Sequence, residues 1–192
     1  GIRIQGYNPN CSIQNNTLIN GQSNGIDANN IDNGEIVGNH IQDFASEGLF
    51  LNSSSDVLID NNTLFENRKG IRLHETNNYS IISNNMIYDN TYSSGEEQSG
   101  IYLYDNNNDI TISNNEIYNN GSYGVYVNGG GQQEAHLYDN IIYNHSVGGV
   151  YYEYGQCGHI ISNLIYDNGS YGVNIDYHDN GSNYELTVKN NT

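Results

Sequence analysis

The sequence is poor in tryptophan, proline, cysteine and basic residues. Its 192 residues include no Trp, one Pro, two Cys and five Lys or Arg against 22 Asp or Glu, which gives a formal net charge of −17. So negative a surface argues against nucleic acid and anionic membranes as partners, because both are negatively charged. No apolar run approaches the length of a membrane span, so we expect no membrane insertion.

Alanine is almost absent, and no segment carries apolar residues at the spacing of an amphipathic helix. Helical repeats are therefore excluded. The chain is instead rich in Asn and contains 22 Gly and 18 Tyr. This composition, without Trp and with little Lys, is more typical of an extracellular or cell-surface protein than of a cytosolic enzyme.

What the sequence does contain is a repeat. Eight times a Gly followed by an apolar residue opens a segment, and about fifteen residues later an Asn preceded by a polar residue closes it. Most units are 22–25 residues long, and self-similarity at such a period is the signature of a solenoid. The opening glycines are Gly1, Gly25, Gly48, Gly70, Gly100, Gly124, Gly149 and Gly172, and the closing asparagines are Asn16, Asn39, Asn62, Asn85, Asn115, Asn140, Asn163 and Asn191.

Side-chain patterning predicts the kind of solenoid. Segments such as GIRI, GLFL, GIYL and GVYV alternate with period two, as do SIQ and TIS before the closing Asn, and both patterns indicate short strands. A third apolar pair, as in IYDN at 87–90, adds another strand to each unit. Three strands per unit, with Ile and Val dominating over Leu, predict an all-β fold. It is a right-handed parallel β-helix of about eight coils, in a single domain over residues 1–192.

The closing Asn has a physical reason to recur. The bend between two strands needs a residue that tolerates left-handed backbone angles, and Asn does so. Asn side chains stacked about 4.8 Å apart in successive coils can also hydrogen-bond to one another as a ladder. Two residues later we expect core side chains, with an aromatic stack beside them that serves packing. The core column is Leu18, Ile41, Leu64, Ile87, Ile117, Ile142 and Ile165, and the stack is Phe65, Tyr88, Tyr118, Tyr143 and Tyr166.

Units such as TISNNEIYNNGSYGVYV resemble the pectin-lyase-like superfamily of right-handed parallel β-helices, and the resemblance covers the whole chain. That superfamily includes pectate and alginate lyases, polysaccharide hydrolases, mannuronan epimerases, phage tailspikes and surface adhesins. The resemblance therefore implies the fold and leaves the function open among these classes. It also implies that a ligand groove runs along the outward face of the first strand.

The outward positions of the first strand form two predicted columns. One is Arg3, Asp27, Phe50, Arg72, Tyr102, Tyr126, Tyr151 and Asn174, and the other is Gln5, Asn29, Asn52, His74, Tyr104, Asn128, Glu153 and Asp176. Exposed aromatic rings beside amides and carboxylates suit a glycan. We expect the glycan to be bound by Phe50, Tyr102, Tyr104, Tyr126, Tyr151 and Glu153. The alternative is that the rings only stack coil on coil, as strand surfaces favour.

One insertion points to the same face. From closing Asn to next Gly the count is eight or nine residues, except between Asn85 and Gly100, where it is fifteen. Insertions in solenoid coils often mark the binding face. The extra residues, within DNTYSSGEEQS, predict a loop beside the first-strand groove that carries Glu96 and Glu97.

Any catalytic set is expected next to this loop. The candidates are His74 or Tyr102 as general base or acid and Arg72 to neutralise a substrate carboxylate, with Glu75 and Asp105 nearby. The alternative is that a His and an Arg on a β-surface are plain solvated side chains.

Specific enzyme motifs are missing. The mannuronan-epimerase segment Tyr-Gly-Phe-Asp-Pro-His has only GYNPN at 6–10 as a counterpart, in which Asn8 and Asn10 replace the acid and the His. Arg68 and Lys69, two bases near the groove, are expected in the turn before the strand. No cofactor and no metal site is predicted, with Ca²⁺ left open as a loosely bound ion at carboxylate pairs such as that of the inserted loop.

The first residue already begins a strand and the last residues, VKNNT, end at a ladder Asn, with no cap. Either the chain is a segment of a longer protein, or neighbouring molecules stack end to end. The predicted function is an extracellular or cell-surface module, structural or adhesin-like, whose aromatic groove faces a polysaccharide or cell-surface glycan. Two alternatives stay open. One is a polysaccharide-modifying lyase, epimerase or hydrolase working in that groove, and the other is the subunit of an end-to-end stacked filament.

Overall fold

The alternating apolar residues of each unit form β-strands in the computed structural model. The structure describes residues 1–91, 98–129, 133–153, 157–176 and 185–192. Within these residues it contains 23 strands and no helix, and the strands form three parallel sheets. None of the described residues lies in a helix long and apolar enough to span a membrane.

Each sheet collects one strand from each coil. Sheet 1 contains β1 (Ile2–Ile4), β4 (Ile26–Asn29), β7 (Glu47–Asn52), β10 (Lys69–His74), β13 (Ser99–Tyr104), β16 (Tyr123–Asn128), β19 (Gly148–Glu153) and β22 (Tyr171–Asp176). Sheet 2 contains β2 (Ser12–Gln14), β5 (Glu35–Val37), β8 (Leu58–Asp60), β11 (Ile81–Ser83), β14 (Ile110–Ser113), β17 (Glu134–Tyr138), β20 (Cys157–Ile161) and β23 (Leu186–Lys189). Sheet 3 contains β3 (Thr17–Gly21), β6 (His40–Phe44), β9 (Thr63–Phe65), β12 (Met86–Tyr88), β15 (Glu116–Tyr118), β18 (Ile141–Tyr143) and β21 (Leu164–Tyr166).

The described strands complete seven coils of three strands and contribute two strands to an eighth. The predicted three-strand solenoid is confirmed, and the predicted number of coils is roughly right. End-to-end stacking stays a prediction.

The apolar side chains of the three sheets meet along the axis. Ile41, Leu64, Ile87, Ile117 and Ile142 of sheet 3 are fully buried, as predicted, and face the buried apolar residues of the other two sheets. The opening glycines are needed because the chain is tightly packed where it enters sheet 1. A Cβ atom at Gly100 would lie 2.6 Å from Ile117 Cγ2 and 2.8 Å from the carbonyl oxygen of Gly124 in the next coil.

The predicted Asn ladder is confirmed at the turn between sheets 2 and 3. The backbone N–H and the side-chain amide of Asn39 both donate to Asn62 Oδ1, at 2.9 and 3.0 Å. This pattern runs through all eight asparagines, from Asn16 to Asn191. Each rung satisfies buried polar groups that would otherwise be costly.

The left-handed backbone belongs to the residue before the ladder Asn, and the prediction that the ladder Asn itself adopts it is wrong. Asn61, Asn84 and Asn114 have φ of 53°, 54° and 56°. The two requirements of the turn are thus divided between neighbours, one supplying the positive φ and the next the buried amide.

A second ladder, which the sequence did not reveal, lies at the turn between sheets 3 and 1. It consists of Asn67, Asn90, Asn120, His145 and Asn168. The imidazole of His145 takes the place of an amide. Its Nδ1 accepts from the Asn120 backbone N–H at 3.2 Å, and in this tautomer its Nε2–H donates to the Ile117 carbonyl at 3.2 Å. Burial lowers the pKa of His145 to about 4.

The predicted aromatic stack lies on the outward face of sheet 3. Successive rings from Phe65 to Tyr166 are 4.8, 4.9, 5.0 and 4.9 Å apart and within 8° of parallel. Parallel strand pairing in exact register places one ring above the next.

Candidate functional site

The outward face of sheet 1 brings together the residues that the sequence singled out. Arg72 of β10 pairs with Tyr102 of β13, and His74 pairs with Tyr104 in the same two strands. We call the two columns that these pairs belong to the middle column (Arg72, Tyr102) and the outer column (His74, Tyr104). The predicted register of both is confirmed, so His74, Arg72 and Tyr102 lie on adjacent coils.

Arg72 lies among aromatic rings. Its guanidinium carbon is 5.6 Å from the ring centres of Phe50 and Tyr102 and 5.5 Å from that of Tyr104. One nitrogen, Nη1, is 3.4 Å from Glu47 Oε1. The side chain is 24% exposed, and its Nε–H is buried without a hydrogen-bond partner. Arg72 therefore keeps donor capacity that the protein does not use.

A buried ion pair lies beside Arg72. Lys69 Nζ is 3.5 Å from Glu47 Oε1, and both side chains are almost fully buried. The expectation that Lys69 lies in a turn is wrong, because it is the first residue of β10 and pairs in register with Glu47, the first residue of β7. Arg68 does lie in the turn.

The charge state of Glu47 follows from these neighbours. Burial alone would raise the pKa of Glu47, but a hydrogen bond from Ser46 and the charges of Lys69 and Arg72 outweigh it and hold the pKa below its ordinary value. The Ser46 hydroxyl donates to Glu47 Oε2 at 2.6 Å. One carboxylate thus faces two cations, so the cluster keeps a net positive charge on an otherwise acidic protein.

His74 is held in one orientation. Its Nδ1 is 2.9 Å from Asn52 Oδ1, an acceptor, which fits a ring protonated at Nδ1. The Nε2 atom is 3.7 Å from Asp105 Oδ2. The imidazole stacks on Tyr104 with centres 5.4 Å apart and planes 4° apart, and it is 5.9 Å from Phe50. In the neutral ring the lone pair is therefore on Nε2, where a general base needs it.

The expectation that the middle column is exposed is wrong for two of its members. Tyr102 is 1% exposed and Tyr126 is 7% exposed. Their rings stack on each other at 4.9 Å, and Tyr126 stacks on the half-buried Tyr151 at 5.2 Å. Tyr123, on the residue column before them, packs against both Tyr126 and Tyr151 at 5.2 Å. The rings shield one another, which an outward position alone does not reveal.

A polar cluster follows two coils further along the same face. The Tyr126 hydroxyl donates to Glu153, and the Asn128 amide donates to the Tyr126 oxygen at 2.9 Å and to Glu153 Oε2 at 2.8 Å. Burial and the bond to the carboxylate raise the pKa of Tyr126 far above its ordinary value. Tyr126 is therefore a neutral donor at any physiological pH, and Glu153 is the charged group of the cluster.

The orientation of the rings limits what they can do. Because neighbours in the middle column are stacked face to face, within 18° of parallel, no sugar ring can insert between them. The half-buried Tyr151 presents its ring edge and hydroxyl group to a ligand, whereas Tyr102 and Tyr126 are buried. Hydrogen bonds, rather than contacts with ring faces, are the recognition that this column offers.

Most of the predicted loop between Asn85 and Gly100 lies outside the residues that the structure describes. Glu96 and Glu97 lie outside the described residues, and Glu75 accepts a hydrogen bond from Ser53 at 2.9 Å. In the part of the chain that the structure describes, no three His, Cys, Asp or Glu side chains are placed to hold a metal ion. Loosely bound Ca²⁺ stays a prediction.

Sequence reasoning missed a further column of this face, formed by the residue directly before each opening Gly. Glu47 pairs with Lys69 and Ser99 pairs with Tyr123 in this column. Alternation alone gives Glu47 the parity of the inward-facing Leu49 and Leu51, so the sequence carries no signal that this column joins the outward face.

Comparisons with known proteins agree with the architecture. A family model described as a right handed beta helix region matches residues 1–134 and 94–192. A crystal structure of the periplasmic alginate epimerase AlgG is similar with 18% identity and a TM-score of 0.65, over 88% of this chain and 47% of that one. A mutant of the same epimerase gives 18% identity and a TM-score of 0.70 over 96% and 48%. The chain spans about half the length of these structures, and at this identity the likeness shows the fold alone. No curated protein matches the chain.

Proposed function

We propose that this chain, which belongs to the right-handed β-helix family, binds polysaccharide along the outward face of sheet 1 as an extracellular or cell-envelope module. The observation that carries the proposal is the cluster around Arg72, where a partly exposed guanidinium lies among three rings and beside the oriented imidazole of His74. The guanidinium is partly exposed on this face, so a ligand can reach it.

The shape of the face suits a linear polymer. Outward side chains repeat once per coil, about every 4.8 Å along the axis, so successive units of an extended chain meet similar groups. The proposed ligand contacts are the hydroxyl groups and ring edges of the two columns and the Glu153 carboxylate. The residues proposed to contact the glycan are Phe50, Tyr104, Tyr151 and Glu153. The buried Tyr102 and Tyr126, which the sequence also predicts as glycan-binding, are proposed to hold Tyr104 and Tyr151 in place.

The sugar unit that contacts Arg72 is proposed to carry a carboxylate group. A guanidinium binds a planar carboxylate through two parallel N–H donors. Nη1 of Arg72 contacts Glu47 and Nε is buried, so the carboxylate is proposed to meet the part of the guanidinium that remains exposed. The stacked rings around it exclude water, which strengthens such a contact.

The similar solved structures support this ligand class, since the protein they contain is a periplasmic alginate epimerase. Its location also supports a place outside the cytoplasm. The uronate ligand and the location outside the cytoplasm both remain proposals for this chain. The direct support for the ligand comes from the side chains around Arg72.

The alternative is a polysaccharide-modifying enzyme, and the geometry of His74 favours it as the second candidate. With Nδ1–H held by Asn52, the Nε2 lone pair could take a proton from a sugar carbon or hydroxyl while Arg72 neutralises the carboxylate. Tyr102 is the other proposed acid or base, but its burial favours His74 as the group that meets substrate.

The test is a binding and depolymerisation screen with uronate and neutral polysaccharides, with and without Ca²⁺, read for affinity and for new reducing or unsaturated ends. A charge-assisted contact contributes about 1.5–3 kcal/mol, so Arg72→Gln should weaken uronate binding at least tenfold. Lys189→Gln removes an exposed cation from β23 of sheet 2, and as the control it should bind as the parent does.

The His74→Ala variant distinguishes the binding module from the polysaccharide-modifying enzyme. A binding module keeps its glycan in His74→Ala and forms no products with either protein. An enzyme forms products, and His74→Ala loses them while still binding. Absence of binding to every polysaccharide would contradict both candidates.

A further inference from the structure

The outward face of sheet 3 carries a strip made largely of aromatic and apolar side chains. One column is the aromatic stack Phe65, Tyr88, Tyr118, Tyr143 and Tyr166, and the column beside it is Met86, Glu116, Ile141 and Leu164. Met86, Ile141, Leu164 and Tyr166 are each 39–40% exposed. These four exposed side chains lie on neighbouring strands of one narrow sheet.

The stack offers a row of polar groups as well as apolar surface. Since adjacent rings are within 8° of parallel, they face one another and point their edges outward. Tyr88, Tyr118, Tyr143 and Tyr166 thus place hydroxyl groups along the axis at intervals set by the coils. The Tyr143 hydroxyl donates to Glu116 Oε1 at 3.0 Å, so the carboxylate in the second column is tied to the row.

These hydroxyls are neutral under physiological conditions. Burial, followed by nearby carboxylates, raises the pKa of Tyr88 and Tyr118, and burial with the Glu116 bond raises that of Tyr143 to about 12. Tyr88 and Tyr118 can therefore both donate and accept a hydrogen bond, and Tyr143, whose proton goes to Glu116, can accept one. These capacities match the hydroxyl groups of a sugar.

The size of the strip argues against a protein partner. Its strands are three residues wide, about 10 Å, and the five stacked rings span about 20 Å. That is roughly 200 Å², whereas a stable protein interface buries about 800 Å² on each side. A single extended chain lying along the axis fits these dimensions.

The charges around the strip further limit which ligand it can bind. At the edge of sheet 3, Asp43 of β6 lines a surface cavity together with Glu66 and Asp89, which lie in the turns after β9 and β12. The two columns of the strip contain Glu116 and no Lys or Arg. An anionic polymer would be repelled here, and so would a second copy of this chain, whose net charge is −17.

We propose that the strip on sheet 3 is a second polysaccharide-binding face, which takes a neutral, extended glycan through the tyrosine hydroxyl row. The inference rests on the proposed function only in taking polysaccharide as the ligand class. It assigns uncharged sugars to sheet 3 and carboxylate-bearing sugars to sheet 1.

The experiment titrates the tyrosine-labelled protein with neutral hexasaccharides of β-1,4-linked glucose, mannose and xylose and with a uronate hexasaccharide, following each assigned tyrosine by NMR. A neutral hexasaccharide should shift the signals of Tyr88, Tyr118 and Tyr143. The triple variant Y88F/Y118F/Y143F keeps every ring and removes three hydroxyls. It should bind at least tenfold more weakly, at about 0.5–1.5 kcal/mol per hydrogen bond. Tyr79→Phe, an exposed tyrosine off both faces, should bind like the parent.

The outcomes distinguish this inference from the proposed function. Shifts confined to sheet 1 tyrosines with every sugar would overturn the sheet 3 face and leave the proposed function standing. Uronate binding at sheet 3, or unchanged affinity in the triple variant, would also overturn the inference. Shifts confined to sheet 3 would support it and contradict the sheet 1 proposal, and no shift with any sugar would contradict both.

Discussion

Sheets 1 and 3 present ring columns of nearly the same geometry and different chemistry. Rings stack at 4.9–5.2 Å in the middle column of sheet 1 and at 4.8–5.0 Å on sheet 3. On sheet 1 the column is interrupted by Arg72, and Tyr102 and Tyr126 are buried. On sheet 3 the column is unbroken from Phe65 to Tyr166 and partly exposed.

The comparison teaches that ring stacking follows from the solenoid itself. In-register parallel strands put any repeated aromatic residue at the coil spacing, so a stack by itself indicates no function. What differs is the charge inserted among the rings. On sheet 1, Glu47, Lys69 and Arg72 form a buried charge cluster, and on sheet 3 the acids stay at the margin and at Glu116.

The largest difference should appear when the buried charge cluster is broken. Glu47→Ala leaves Lys69 buried and without this carboxylate, and removing one partner of a buried pair costs about 3–5 kcal/mol. Urea unfolding should show that loss in the free energy of unfolding.

The control for that variant is the exposed pair at the other end of the face. Arg3 Nε is 3.2 Å from Asp27 Oδ2, but the Arg3 side chain is 66% exposed. Arg3→Ala should therefore cost about 1 kcal/mol or less, and it leaves Asp27 with its hydrogen bond from Asn29. Equal losses in the two variants would contradict the view that burial makes the sheet 1 cluster special.

The turn that joins the two faces should make stability depend on pH. Burial lowers the pKa of His145 from an ordinary 6.5 to about 4. Between these values the unfolded chain binds a proton at this ring and the native ladder does not, so the free energy of unfolding falls as the pH falls. The loss should reach about 3 kcal/mol by pH 4.

His145→Asn restores an amide to the second ladder and removes the titrating group. Thermal or urea unfolding between pH 4 and 6.5 should then lose the His145 part of the pH dependence. His40→Asn, whose ring packs on Phe65 outside the ladder, should keep it. A parental pH slope in His145→Asn would show that another group is responsible.

The smallest effect is expected on sheet 3. Tyr118 stacks on Tyr88 at 4.9 Å and on Tyr143 at 5.0 Å, and an aromatic pair contributes about 0.5–1.5 kcal/mol beyond buried area. Tyr118→Ala should therefore destabilise by roughly 2 kcal/mol. Tyr118→Phe keeps both stacks and should change stability by less than about 0.5 kcal/mol. A large loss in Tyr118→Phe would mean that the hydroxyl has a structural partner.

Much of the fold could be predicted because the same pattern of residues recurs in every coil. The period, the alternation and the closing Asn were enough for the three strands per coil and the first ladder. The second ladder was missed although it lies five residues after the first, since His145 interrupts the run of asparagines. Only the geometry shows that its two ring nitrogens act as an amide does.

The candidate site was less predictable because it depends on contacts between coils. Alternation correctly predicts that Tyr102 points outward, but its burial comes from rings and charges contributed by neighbouring strands. From the sequence, Lys69 is expected in a turn because it precedes the opening Gly. In the structure it belongs to the strand, where it pairs with Glu47 of the previous coil. The pairing register between neighbouring coils brings such residues together as a cluster. The sequence of a single segment does not show which residues of the neighbouring coils lie beside it.

Polysaccharide binding at sheet 1 is tested by mapping a uronate oligosaccharide onto the protein by NMR, with Arg72→Gln beside the parent. We expect shifts at Tyr104, Tyr126 and Tyr151 of sheet 1 in the parent and at least tenfold weaker binding in the variant. Shifts that avoid sheet 1, or equal affinity in the two proteins, would contradict it.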